Sequence, residues 1–174
     1  MPKRRMKRHA VTQPQDPSYR LIPLTQGQNA IVNTSDYKWL NQWNWCAQWS
    51  PHTKSFYAVR RESGRIILMH RQILKCKRHE GDHRNHNSLD NRRLNLRKAS
   101  RSQNGSNLRM RKDNTSGYRG VIWNKPLEKW VAQIKVGSRN IYLGLFLSAK
   151  EAARVRDQAA IKYQGSFASL NFTS

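Results

Sequence analysis

A chain of 174 residues has room for one modest domain or two small ones, each with a limited core. Its 33 Lys and Arg stand against 10 Asp and Glu, leaving a net charge of +23. Such an excess repels itself in a compact state unless a polyanion is the normal partner, and nucleic acid is the natural one. A membrane is the weaker candidate: no run of 18 apolar residues is present, so nothing reads as a span. Cys46 and Cys76 are far apart and form no C-x-x-C pair, which excludes a four-cysteine zinc site and argues for a reducing compartment.

Residues 1–20 read as a basic, flexible tail containing Pro14 and Pro17. Its first nine residues lead into no apolar stretch, so they do not read as a secretory signal. From Leu21 to Met69 the apolar pattern turns regular. It predicts strands at Ile22–Thr25, Ala30–Asn33, Trp45–Trp49, Phe56–Arg60 and Arg65–Met69, with a helical turn at Asp36–Gln42 capped by Thr34 or Ser35. The tryptophans of this part are expected in the core, because so short a segment has few other large residues to bury. Residues 76–110 are polar and crowded with His, Asn and Asp; from Arg92 to Lys112 there are eight Lys and Arg and no acid. A flexible joint at 111–117 follows. Strands are then expected at Tyr118–Trp123, Trp130–Val136 and Asn140–Phe146, and a helix at about 149–163. Ser148 and Glu151 form a capping box for that helix, and Gly165 follows its last turn. Ala152, Val155, Ala159 and Tyr163 are expected to form its inner face.

The segment 81–104 carries the densest chemistry. Asp82 precedes His83, a turn-rich loop and a short strand follow, and Ser100 with Gln103 makes a second capping box that sets Asn104 on a helix's first turn. A ββα hairpin of this kind can bring Asp82, His83 and Asn104 to one point. Asp and Asn oxygens are hard donors suited to magnesium or manganese, and a neutral histidine beside such a metal is a competent general base. A zinc cluster of His79, His83 and His86 is the competing reading, weakened because zinc would consume the proposed base.

The string D-H…L-D-N-R-R-x-N-L-R…Q-N resembles the HNH endonucleases, especially the phage and homing branch. The resemblance implies His83 as base, Asn95 as brace of the loop, and Asp82 with Asn104 as ligands of one divalent cation. Met69-His70-Arg71 matches a segment common in that branch and adds His70 to the candidate catalytic set. Arg92, Arg93 and Arg97 are expected on the DNA backbone. Gly81 departs from the family pattern by replacing an apolar residue, which could loosen its strand; His86 stands where a glycine is common.

The C-terminal part has its own resemblance. Y-R-G-V at 118–121, K-W-V-A-Q-I at 129–134, Y-L-G-L-F at 142–146, E-A-A-R at 151–154 and L-N-F at 170–172 are similar to the plant APETALA/ethylene-response-factor domain, over nearly all of 117–172. That resemblance implies a three-stranded antiparallel sheet in the major groove, backed by a helix. Strand alternation puts Trp130, Ala132, Ile134 and Val136 on one face and Gln133 and Lys135 on the other. Arg119, Gln133, Lys135 and Tyr142 match the family's DNA-facing positions. Ile122 and Asn124 replace first-strand arginines, so the plant target sequences do not carry over.

The resulting expectation is a three-part α+β protein: a β-rich part at 21–69, an HNH hairpin at 70–110, and a DNA-gripping sheet module at 118–174. Its function is expected to be hydrolytic nicking or cutting of double-stranded DNA, with magnesium or manganese as cofactor; the resemblance to the HNH family implies 5′-phosphate and 3′-hydroxyl ends. The expected setting is the cytoplasm of a bacterial or phage-infected cell rather than secretion. No membrane or small-molecule cofactor is expected, a monomer is favoured, and one site per chain favours nicking over cutting both strands. The rival from another class is a non-catalytic DNA-binding regulatory protein that keeps the nuclease fold; an RNA-binding role is the weaker rival.

Overall fold

The structure is a computed structural model that describes residues 8–76, 80–106, 110 and 113–172. It is α+β and rich in small antiparallel sheets. The chain divides into two units, Met1–Ala99 and Ser100–Ser174, a division upstream of the expected joint at 111–117. Of that joint, residues 111 and 112 lie outside the described residues, as do the first seven residues of the expected tail.

The first unit begins with the hairpin β1 (Tyr19–Pro23) and β2 (Asn29–Asn33), followed by helix α1 (Thr34–Leu40). The expected tail therefore ends earlier than residue 20, and Gln13 is already tied to the strand by two hydrogen bonds with the Leu21 backbone. A three-stranded sheet comes next: β3 (Cys46–Ser50), β4 (Ser55–Glu62) and β5 (Arg65–Leu68), in that order. The β4–β5 hairpin closes on Ser63-Gly64, where both central residues have positive φ, as a tight two-residue hairpin turn requires; Gln26 and Gly27 in the longer β1–β2 connection also have positive φ. Helix α2 (Met69–Ile73) and the pair β6 (Glu80–His83) with β7 (Leu96–Ala99) complete the unit.

The cap of α1 is not the expected one. Asn33 holds the N-cap position without a side-chain cap bond, because its Oδ1 instead accepts the Arg93 backbone N–H at 2.7 Å. The core gathers Ile22, Leu24, Val32, Leu40, Trp45 and Met69, all fully buried. Trp45 satisfies its indole N–H on the Leu40 carbonyl at 2.8 Å, which lets so large a ring sit inside without an orphaned donor. Trp39 and Trp43 pack edge-on beside it. Trp49 departs from the expectation and is about half exposed, at 48%.

The second unit contains α3 (Arg101–Ser106), the sheet β8 (Val121–Asn124), β9 (Lys129–Val136) and β10 (Arg139–Phe146), then α4 (Ala149–Gln164) and a short 3-10 turn at Gly165–Phe167. The sheet is antiparallel with β9 in the centre. The box at α3 forms as read: Ser100 Oγ accepts from Gln103 N–H, and Gln103 Oε1 accepts from Ser100 N–H at 2.8 Å. The box at α4 does not close, since Ser148 makes no side-chain cap bond.

The first strand of this sheet starts three residues later than expected because 114–120 is committed to turns. Asn114 Oδ1 accepts the Gly117 N–H and the Ser116 hydroxyl, and Ser116 Oγ also reaches the Val121 carbonyl. Helix α4 lies on the sheet through Ala152, Ala153, Ala159 and Ala160, whose small side chains allow close approach. Its buried face is rotated from the expected stripe: Tyr163 is exposed, and Arg156 and Asp157 are inside.

Candidate nucleic-acid interface

The strand period of two divides the C-terminal sheet cleanly. Ala132 and Ile134 of β9 are buried against α4, with Trp130 and Val136 partly buried on the same side, as the alternation predicts. The opposite face looks to solvent. The strand registers arrange it in rows: Ile122 opposite Val131 opposite Leu145, then Gln133 opposite Tyr142, then Lys135 opposite Asn140. A bulge between Tyr142 and Gly144 keeps Leu145 on this outer face. Tyr142 is 61% exposed and Ile122 50%.

The structure thus brings Gln133, Lys135 and Tyr142 onto one face. Arg119 sits apart, half-buried in the turn before β8. Burial, followed by the charge of neighbouring Arg156, pushes its guanidinium below the ordinary arginine value, and Asp157 partly offsets this.

Sequence reasoning missed what holds this turn in place. Asp157 pairs with Arg156 at 3.1 Å, and both side chains are nearly buried. The same carboxylate accepts the backbone N–H of Asn171 at 2.6 Å and of Phe172 at 3.0 Å, while Asn171 Oδ1 accepts the Arg119 N–H at 2.6 Å. The L-N-F string at 170–172 is therefore the clasp that fastens the C-terminal segment to α4 and the Arg119 turn. An Arg-Asp pair on a helix reads as solvated surface in a sequence, so only the helix's rotation reveals it.

In the first unit, the loop between β6 and β7 is laced to the rest of the unit. Ile31 N–H donates to the Leu89 carbonyl and Asn91 N–H to the Ile31 carbonyl, which makes a short bridge to β2. Arg93 grips Asp36 of α1 through two bonds of 2.8 and 2.7 Å, and Arg92 grips Asp90 in the same bidentate way. Asp36 and Asp90 are buried, and these guanidiniums hold both carboxyls below the usual carboxylate range against the upward push of burial. Asn95 spans the loop, accepting the Asn85 N–H and donating to the Asp90 carbonyl. Arg97 is paired with Asp82 at 2.7 Å, with little exposure of either. The arginines read as backbone contacts thus sit against acids that the window 92–112 did not contain.

His83 and His70 are both buried, with ring centroids 4.9 Å apart and Tyr57 beside them. Burial, reinforced by the neighbouring His83 and Arg71, lowers the His70 pKa to about 3. Burial also lowers that of His83, against the opposing pull of Asn91, Asp82 and Asp90. Gly81 does not loosen its strand: a Cβ there would run into the His70 ring, so the close approach of β6 and α2 requires glycine. His86 takes φ +60°, the left-handed geometry that favours the glycine usual at that position.

Of the expected divalent-cation ligands, the Asp82 carboxylate is ion-paired with Arg97, and Asn104 stands on α3. Among the described residues no group of three or more His, Cys, Asp and Glu is arranged for a metal; His79 of the alternative zinc cluster lies outside them.

No protein-family model matches the chain. It is similar to APETALA2-like protein 2 of rice (Oryza sativa subsp. indica), 41% identical over 58 residues, which is 33% of this chain and 13% of that protein. It is similar to the AP2-like ethylene-responsive transcription factor TOE2 of Arabidopsis thaliana, 40% identical over 58 residues, again 33% of this chain and 12% of the relative. The ethylene-responsive transcription factor ERN1 of Lotus japonicus is 42% identical over 66 residues, 37% of this chain and 24% of its own length. The chain thus spans about an eighth of the first two relatives.

These relatives support the AP2-like DNA-binding part of the sequence reading. The Arabidopsis and Lotus relatives are named as transcription factors and none of the three as an enzyme, and this overturns the expectation of a metal-dependent HNH endonuclease. Hydrolase, nuclease and phage associations fall with it. No helix among the described residues is long and apolar enough to cross a membrane.

Proposed function

We propose that this chain is a non-catalytic, DNA-binding regulatory protein whose C-terminal sheet docks in the major groove of duplex DNA. The observation that carries this reading is the solvent-facing side of β8–β10, where Gln133, Lys135 and Tyr142 stand together on a rigid sheet backed by α4. A twisted antiparallel sheet fits a groove about 12 Å wide, and its outward side chains meet base edges while flanking cations meet phosphates. The net charge of +23 supplies the sequence-independent attraction. The likeness to transcription factors supports the regulatory assignment.

The test is binding of the full chain to duplex DNA and duplex RNA of equal length across a salt series. Tighter binding to DNA is expected, because the deep, narrow major groove of A-form RNA excludes a sheet. Lys135→Gln should reduce the log–log salt slope by about 0.9 if the ammonium neutralises one phosphate. Equal affinity for the two duplexes would overturn the major-groove reading. Magnesium-dependent nicking of supercoiled plasmid, abolished by EDTA, would overturn the non-catalytic one.

A further inference from the structure

We infer that the outer face of the C-terminal sheet reads A·T base pairs, through thymine methyl groups and adenine edges; the inference rests on the DNA-binding function proposed above. Its starting point is an anomaly of composition. A water-facing sheet surface ordinarily alternates to polar residues, yet Ile122, Val131 and Leu145 form a continuous apolar row across all three strands of this one. Ile122 and Leu145 are 50% and 37% exposed. In the major groove the one apolar feature that distinguishes a base pair is the thymine C5-methyl, so an apolar row on a groove-facing sheet is matched to thymine.

The adjoining row points the same way. Gln133 stands across from Tyr142, next to the apolar row on β9, and its amide is uncommitted among the described residues. A glutamine amide donates and accepts in the pattern of adenine N7 and N6. The usual reader of guanine is arginine, whose fork meets O6 and N7, and no outward position of β8, β9 or β10 carries one. Lys129 and Lys135 stand near the two ends of β9, placed for phosphates rather than for the centre of the site. Asn124 is drawn out of the reading set, because its Oδ1 accepts the Leu127 N–H in the β8–β9 turn.

The experiment selects duplexes from a random pool with the full chain, then measures affinity at fixed salt for the selected site and for altered versions of it. The selected site should contain an A·T run. Replacing its thymines by deoxyuridine removes only the methyl groups and should weaken binding about tenfold. Gln133→Ala should lower affinity for the selected site by a similar factor, leave affinity for an unrelated duplex unchanged, and keep the wild-type melting curve. Ile122→Arg should move the preference towards G·C. A G·C-rich selected site, or indifference to deoxyuridine, overturns the inference. Duplex binding with no sequence preference overturns it while leaving the proposed function standing. Absence of duplex binding overturns both.

Discussion

Asp36 in the first unit and Asp157 in the second each tie distant segments together, but under different electrostatic conditions. In the first unit Asp36 is buried while its partner Arg93 is more than half exposed, so one end of the pair stays in water. In the second unit Arg156 and Asp157 are both nearly buried, at 4% and 10% exposure, and the carboxylate also serves three donors of Asn171 and Phe172. A half-exposed pair is a modest staple, because an exposed partner rehydrates when the pair is broken. A fully buried pair is harsher to break, because the survivor is left charged and dry. The units differ in a second respect: all six histidines lie before residue 100, so the second unit has none.

The largest effect is expected from Asp157→Ala. It strands the buried Arg156 and releases the C-terminal clasp, at a cost of about 3–5 kcal/mol. Segment-resolved hydrogen exchange should show lost protection in β8–β10 while β1–β5 keep theirs. Unchanged protection across β8–β10 would mean that the clasp does not hold the sheet.

Acid should separate the units next. A histidine whose folded pKa is lowered is favoured neutral in the fold, so its unfolded form takes up the proton first. Stability is then intact above the unfolded value near 6.5 and declines as pH falls towards the folded value near 3 for His70. The slope is about 1.4 kcal/mol per pH unit, or about 2 kcal/mol between pH 6.5 and 5. His83 shifts in the same direction and adds to the loss. The lowered pKa values of Asp36 and Asp90 act with the same sign, below about pH 4. Exchange measured from pH 7 to 5 and corrected for intrinsic rates should therefore show the first unit weakening and the second holding. Parallel weakening would remove the histidine pair as the cause.

Asp36→Ala should cost least, about 2 kcal/mol, since Arg93 returns to water and Trp39 Nε1 loses one acceptor. Urea unfolding of the variant against Asp157→Ala gives the ranking directly, and equal costs would erase the distinction between half-exposed and buried pairs.

The sheet module was the most legible part of the chain, because period-two alternation and capping signals are local. Ala132 and Ile134 inward with Gln133 and Lys135 outward needed only the strand period. The capping box at Ser100 also needed only four residues. What local pattern could not supply was partnership at a distance. Arg93 finds Asp36 across 57 positions, and Asn171 finds Arg119 across 52. An acid-free stretch therefore looked like free cationic surface while its counter-charges lay elsewhere. In the motif at 82–104 a specific string suggested a catalytic set, and what the string could not show is that its Asp82 is engaged by Arg97.

The bulge at Tyr142/Gly144 has a consequence for how such a protein can change. By restoring the alternation after one irregular step, it keeps every outward residue of the sheet clear of the alanine-lined contact with α4. Residues that choose a target and residues that maintain the fold are then separate sets, interleaved along the same three strands. Under the proposed function, a substitution at Ile122 or Gln133 alters what is recognised without creating a cavity or stranding a charge. New specificities can accumulate one step at a time, each intermediate still folded, so the scaffold can be redirected without first being rebuilt.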